Sequence, residues 1–174
     1  PTTPNGSPVI TFKTQKNALY KGRATVSNGE FKFEFIVPKD IDFNYGRGKI
    51  SYYADDKLVD ADGWDTTFVV GGINPNPPVD NQGPELKIYL NDDSFVNGSI
   101  SSSNPLLVVE ASDEFGINTV GNGIGHDITA VLDGNTGNPI ILNEYYKSNL
   151  DSYQSGKIEY TLRNLSIGQH TLDV

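Results

Sequence analysis

Phe31, Phe33, Phe35 and Val37 occupy every second position between Lys32, Glu34 and Ile36. A period of two lines one face of a strand with large side chains, so residues 31–37 are predicted to form a β-strand that Pro38 ends by removing a ladder donor. Asn28 and Gly29, just before it, form a dipeptide that tolerates positive φ at both positions and therefore closes tight hairpins. Residues 24–26 are expected to be the partner arm. Residues 9–12, 49–54 and 66–70 supply further short runs rich in β-branched and aromatic side chains.

The second half repeats the style. Residues 85–90, 127–132 and 157–162 alternate, residues 106–109 follow Pro105 as an unbroken apolar run that predicts a more fully buried strand, and residues 139–142 add another. Asp133-Gly134-Asn135 and Ser166-Ile167-Gly168 mark turns, and residues 169–174 begin one more strand. If a further edge strand follows in a longer parent, that last strand leaves a sheet edge open. No segment carries helical periodicity over more than two turns. The predicted fold class is all-β, built as two tandem immunoglobulin-like β-sandwiches. The division falls at residues 71–84, which hold four prolines and three glycines without apolar periodicity. This gives a first domain over 1–72, a Pro/Gly-rich linker over 73–84 and a second domain over 85–174, expected to be truncated at its C-terminal end.

Charge sharpens that division. Residues 1–75 carry nine Lys/Arg and nine Asp/Glu, whereas residues 76–174 carry four against thirteen, so the whole excess of −9 lies in the second part. An acidic chain of this kind is not expected to bind nucleic acid, whose phosphates call for a basic patch. With 36% hydrophobic and 10% aromatic residues, Tyr and Phe must supply much of the buried area. There is no cysteine, which excludes a disulfide framework, a thiolate metal site and a cysteine nucleophile within these residues. The first residues, Pro1-Thr2-Thr3-Pro4, have neither an initiator Met nor a signal-peptide core, and the chain is expected to be an excised piece of a larger secreted protein. No apolar run approaches the roughly 20 residues that span a bilayer, so membrane insertion by this piece is not expected.

Residues 112–134, including Ser112-Asp113-Glu114-Phe115-Gly116 and Ile128-Thr129-Ala130-Val131-Leu132-Asp133-Gly134, form a long and specific run. Together with Leu142-Asn143-Glu144-Tyr145-Tyr146, residues 151–156 and residues 165–172, it resembles the region after the peptidase domain in type IX secretion sortases, the PorU-like, gingipain-type cysteine peptidases of Bacteroidetes. Residues 31–38, 48–54 and 68–72 resemble the stretch just upstream. The resemblance implies a parent that removes a sorting domain from exported cargo and attaches the cargo to a lipopolysaccharide anchor at the bacterial cell surface, outside the outer membrane or in the periplasm. It also implies a catalytic Cys and His in a domain N-terminal to this region, and neither His126 nor His170 stands in a matching context. This chain is thus expected to be a non-catalytic accessory region, with other domains of the same chain, cargo or secretion components as partners.

Asp60, Asp62 and Asp65, with Asp55 and Asp56 nearby, are the calcium candidates, because alternating carboxylates around Gly63 supply the oxygens that calcium takes. The run lacks a third alternating ligand and a distal bidentate Glu, and an acidic, solvated interstrand turn is the preferred account. No cofactor is assigned. Gly121-Asn122-Gly123-Ile124-Gly125 invites a phosphate loop, but the strand pattern after it offers no helix N-terminus, so an interstrand loop is preferred. His126 and Asp127 are adjacent on a predicted strand and point to opposite faces. No nucleophile elbow is present. Both histidines are expected to be structural, pairing with turn carbonyls. Tyr52, Tyr53, Trp64, Tyr145 and Tyr146 are candidates for a sugar-stacking surface. Alternation predicts one ring inward and one outward in each Tyr-Tyr pair, which assigns about half of the rings to packing.

Overall fold

The computed structural model describes residues 18–39, 41, 44–120 and 127–174. The predicted strand over 9–12, the Gly121–Gly125 loop and His126 lie outside them. The chain is almost entirely strand and turn, without an α-helix among the described residues.

In the first half, β1 (Gly46–Arg47) pairs with β4 (Val69–Val70), and β2 (Ile50–Asp55) pairs with β3 (Asp60–Asp65), both antiparallel. The β2–β3 connection is tightened by Asp56, whose carboxylate accepts hydrogen bonds from the Leu58 and Val59 amides at 2.9 and 2.8 Å. These bonds hold the Asp56 carboxyl below the usual carboxylate range. The Asn28-Gly29 turn forms as predicted, with φ of 54° and 81° and a reciprocal pair of hydrogen bonds between Ser27 and Glu30.

Beyond that pair the hairpin departs from expectation. Residues 24–26 and 31–37 carry no ladder. The first arm is engaged elsewhere: Arg23 bridges Leu150 in parallel, and its carbonyl accepts the Asp151 amide at 3.0 Å. The alternation of Phe31, Phe33 and Phe35 survives as a row of near-parallel rings, with centroids 6.4 Å apart at each step. Tyr20 stacks against Phe35 at 4.8 Å, and Phe31 meets Tyr52 of β2 edge-on at 5.4 Å. Only Val69–Val70 of the predicted 66–70 run forms a strand.

The second half holds a four-stranded sheet in the order β5-β6-β10-β9, with β5 at Glu85–Leu90, β6 at Leu106–Ser112, β9 at Tyr146–Ser148 and β10 at Ser155–Thr161. A three-stranded sheet runs β11-β7-β8, with β7 at Thr129–Leu132, β8 at Ile140–Ile141 and β11 at Leu172–Asp173. Residues Asn143–Tyr145 make a 3₁₀ turn between β8 and β9. Asp133 and Gly134, at φ 53° and 68°, supply the predicted turn after β7.

The two sheets share one core. Leu107 and Val109 of β6, Ile158 of β10 and Tyr146 of β9 meet Ala130 of β7, with Leu142 and Leu162 completing the cluster. The unbroken apolar run after Pro105 is indeed the most buried strand, with Leu107, Val108 and Val109 all at 1% exposure or less. Among the described residues every buried side chain falls within residues 105–162. The aromatic row of the first half is at best half-buried, and residues 73–84 are exposed throughout.

Candidate functional site

The acidic run Asp60–Asp65 is a strand and not a turn. Its backbone is committed to β2, pairing Ile50 with Asp65, Tyr52 with Gly63 and Tyr53 with Asp62. The strand period then separates the calcium candidates: Asp60 and Asp62 share one face, and Asp65 lies on the other. Asp65 accepts the Thr67 amide at 2.7 Å, which holds its carboxyl below the usual range. Among the described residues no group of three or more His, Cys, Asp or Glu gathers where it could hold a metal ion.

The same register builds an aromatic face. Ser51, Tyr53 and Asp55 stand beside Trp64, Asp62 and Asp60 respectively. Tyr53 and Trp64 are exposed, at 69% and 68%, while Tyr52 turns inward to meet Phe31. At Tyr145-Tyr146 the same division holds. Tyr146 is buried in the core, and Tyr145 stays outside with its ring edge-on to Tyr160 at 4.8 Å. Trp64 is the sole tryptophan, so its fluorescence reports this face alone. Acrylamide is expected to quench it at a rate close to that of free tryptophan; strong protection would mean that the face is covered.

His170 proves to be clasped. Its Nδ1 lies 2.8 Å from Asp133 Oδ2, and its Nε2 lies 3.0 Å from the Ser166 carbonyl oxygen and 3.4 Å from Ser166 Oγ. Asp133 Oδ1 also accepts the Thr171 amide at 2.9 Å. The turn-carbonyl partner was legible from the sequence, whereas Asp133, 37 residues away, was not. An Asp–His–Ser set suggests a hydrolytic triad, but the hydrogen bonds oppose it. Both ring nitrogens face acceptors, so the ring is held as a donor on each side and its Nε2 lone pair is not offered to Ser166.

The hydrogen bond to Asp133, with that to the Ser166 carbonyl, raises the His170 pKa, and the hydrogen bond from His170, with that from Thr171, lowers the Asp133 pKa. The His170 contribution is therefore fully present below the unfolded-state value near 6.5 and is lost as pH rises through the raised folded value. The Asp133 contribution is present above its unfolded value and is lost as pH falls through the lowered one. An NMR titration is expected to place the His170 midpoint above the ordinary value, and His170→Gln is expected to remove the alkaline loss. An unshifted midpoint would dissolve the clasp.

A second acidic side chain joins the halves of the chain. Asp151, in the left-handed region at φ 58°, accepts the Thr25 amide at 2.7 Å and the Thr25 hydroxyl at 2.6 Å. The two bonds lower its pKa. Together with the Arg23–Leu150 bridge, they fix residues 23–25 against the turn between β9 and β10.

The chain is thus an all-β protein, its second half closed as a β-sandwich on one core, and its polar clusters hold turns and joints. No family model and no curated protein matches it. Among solved structures, it is similar to PorU from Porphyromonas gingivalis: the crystal structure of dimeric latent PorU matches 82% of this chain at 35% identity, with a TM-score of 0.51. The match spans 14% of that PorU chain.

Proposed function

We propose that this chain is a non-catalytic accessory region of a sortase-like cysteine peptidase of the type IX secretion system, exposed at the bacterial cell surface. Its work would be to position the catalytic domain or to dock cargo. The similarity to PorU over 82% of the chain carries this reading. The absence of cysteine from the whole sequence supports it, since a cysteine nucleophile must then be supplied from elsewhere. We read the β5-β6-β10-β9 and β11-β7-β8 sheets as an immunoglobulin-type sandwich, because the strand order follows that of the two immunoglobulin sheets. Residues 1–72 would be a second such body, joined through the linker at 73–84. The reading frame upstream of Pro1 tests the proposal. A peptidase domain with a gingipain-like Cys and His is expected there, and a frame without one removes the enzyme.

The exposed Tyr53 and Trp64 favour one other reading, a carbohydrate-binding or adhesive module. Aromatic faces stack on sugars, and neighbouring carboxylates accept hydroxyl hydrogen bonds. Glycan titrations followed by Trp64 fluorescence are expected to show saturable quenching under this reading; no response to any glycan would dismiss it.

A further inference from the structure

Two hydroxyl groups stand out in the interior of the large sheet. Among the described residues, Tyr146 Oη and Ser148 Oγ are the buried side-chain polar atoms without a hydrogen-bond partner. Tyr146 is 6% exposed and Ser148 3%, so bulk solvent relieves neither. Buried hydroxyls are nearly always hydrogen-bonded, because an uncompensated one carries its full desolvation penalty.

The ladder brings the two together. Both side chains leave β9 on the core face, two positions apart. Tyr146 stands opposite Ile158 of β10, and Ser148 stands opposite Gly156. The next pair is joined by a hydrogen bond of 2.9 Å from the Asn149 amide to the Ser155 carbonyl. Ser148 and Gly156 are therefore a non-hydrogen-bonded pair, the kind whose side chains lie closest. A Cβ atom on Gly156 would overlap the Tyr146 hydroxyl, so that hydroxyl occupies the place of the side chain Gly156 lacks. It faces Ser148 across the ordinary spacing of such a pair, about 4.5–5.5 Å between Cβ positions. That span is too long for a direct bond and suits two bonds of about 2.7–2.8 Å through one water. The Lys147 carbonyl oxygen, 2.6 Å from the same Cβ position, offers a lone pair as a third contact. Burial, and after it the nearby Tyr20 phenol, push the Tyr146 pKa up to about 12, so its hydroxyl stays neutral and both donates and accepts.

We infer that an internal water is bound over Gly156, bridging Tyr146 Oη and Ser148 Oγ. The glycine leaves the room, and β9 supplies the oxygens. The site has a consequence for the rest of the chain, because β9 runs on into Leu150 and Asp151, where residues 23–25 are held. The bound water fixes the strand that carries this joint. Register and burial define the site, independently of the likeness to PorU.

The sign of a mutational effect separates a bridged site from a dry one. Removing one end of a water bridge leaves the other end and the water short of a partner, whereas deleting an unpartnered hydroxyl only removes a penalty. Tyr146→Phe and Ser148→Ala are each expected to raise the unfolding equilibrium constant about two- to tenfold in urea titrations. The double variant is expected to cost less than the two effects combined, because the first substitution already loosens the water. Magnetic relaxation dispersion of the water oxygen reads the ligand itself. There the double variant is expected to show one long-lived water fewer than the unaltered chain. Single variants as stable as the unaltered chain, or more stable, would overturn the inference, and so would an unchanged number of long-lived waters.

Discussion

Leu107→Ala is expected to destabilise the fold by about 2–5 kcal/mol, the range for emptying a fully buried leucine site. Leu107 has no exposed surface and sits where β6 meets both layers. On one side Tyr160 of β10 and Leu90 of β5 stand directly opposite it in the ladder. On the other, the core cluster continues to Ala130 and Leu142, which belong to the smaller sheet and to the turn after it. The cavity opens between elements that are themselves held by ladders, so little can collapse into it. Urea denaturation is the measurement, with the midpoint falling and the slope unchanged. Ile167→Ala is the control. Ile167 is fully exposed on a turn, and its substitution is expected to stay within about 0.5 kcal/mol. A Leu107→Ala midpoint equal to that of the control would mean that the core is not where the structure places it.

Gly156→Ala is expected to cost about 1–3 kcal/mol, as overpacking of a closed site does. The glycine lies on β10 opposite Ser148 of β9 and Ala111 of β6, in the interior of the large sheet. A methyl group there would overlap Cζ and Oη of Tyr146 and lie 2.6 Å from the Lys147 carbonyl oxygen. The two clashes differ in kind. The Tyr146 ring is a side chain, but it is buried and part of the core. The Lys147 carbonyl is backbone of the partner strand and moves only if the β9–β10 ladder moves. A double-mutant cycle separates them: Tyr146→Leu in the Gly156→Ala background is expected to recover the ring's share and leave the remainder. Full recovery would assign the whole cost to the ring, and an unperturbed single mutant would contradict the packing altogether.

β5 and β10 of the large sheet were legible in the sequence through their period of two and β6 through its unbroken apolar run, whereas β9 at Tyr146–Ser148 was not foreseen. Residues 85–90 form β5 with those bounds, and the apolar run after Pro105 became the buried β6. The 31–37 run shows the limit of that signal. Alternation reports which side chains share a face, and Phe31, Phe33 and Phe35 do share one. It does not report whether a partner backbone is available, and here the partner arm is bound to Leu150 and Asp151. The acidic run at residues 60–65 misled in the opposite direction. Asp and Gly favour turns when local preference decides, but pairing with residues 50–55 overrode it. The inward and outward division at Tyr52-Tyr53 followed from strand alternation alone, whereas at Tyr145-Tyr146 it arises where the 3₁₀ turn passes into β9. Contacts made at long sequence separation, Asp133 with His170 and Asp151 with Thr25, had no local signature.

The Thr25–Asp151 joint also has a mechanical consequence. Tension applied from the N-terminal side reaches the large sheet through the Arg23–Leu150 bridge and one carboxylate, before it loads any β5 or β6 ladder. The joint therefore acts as a shear pin. A pull on the preceding polypeptide is expected to part residues 23–25 from the sandwich first and lengthen the tether, while the β6–β10 ladder, seven residue pairs long, stays closed.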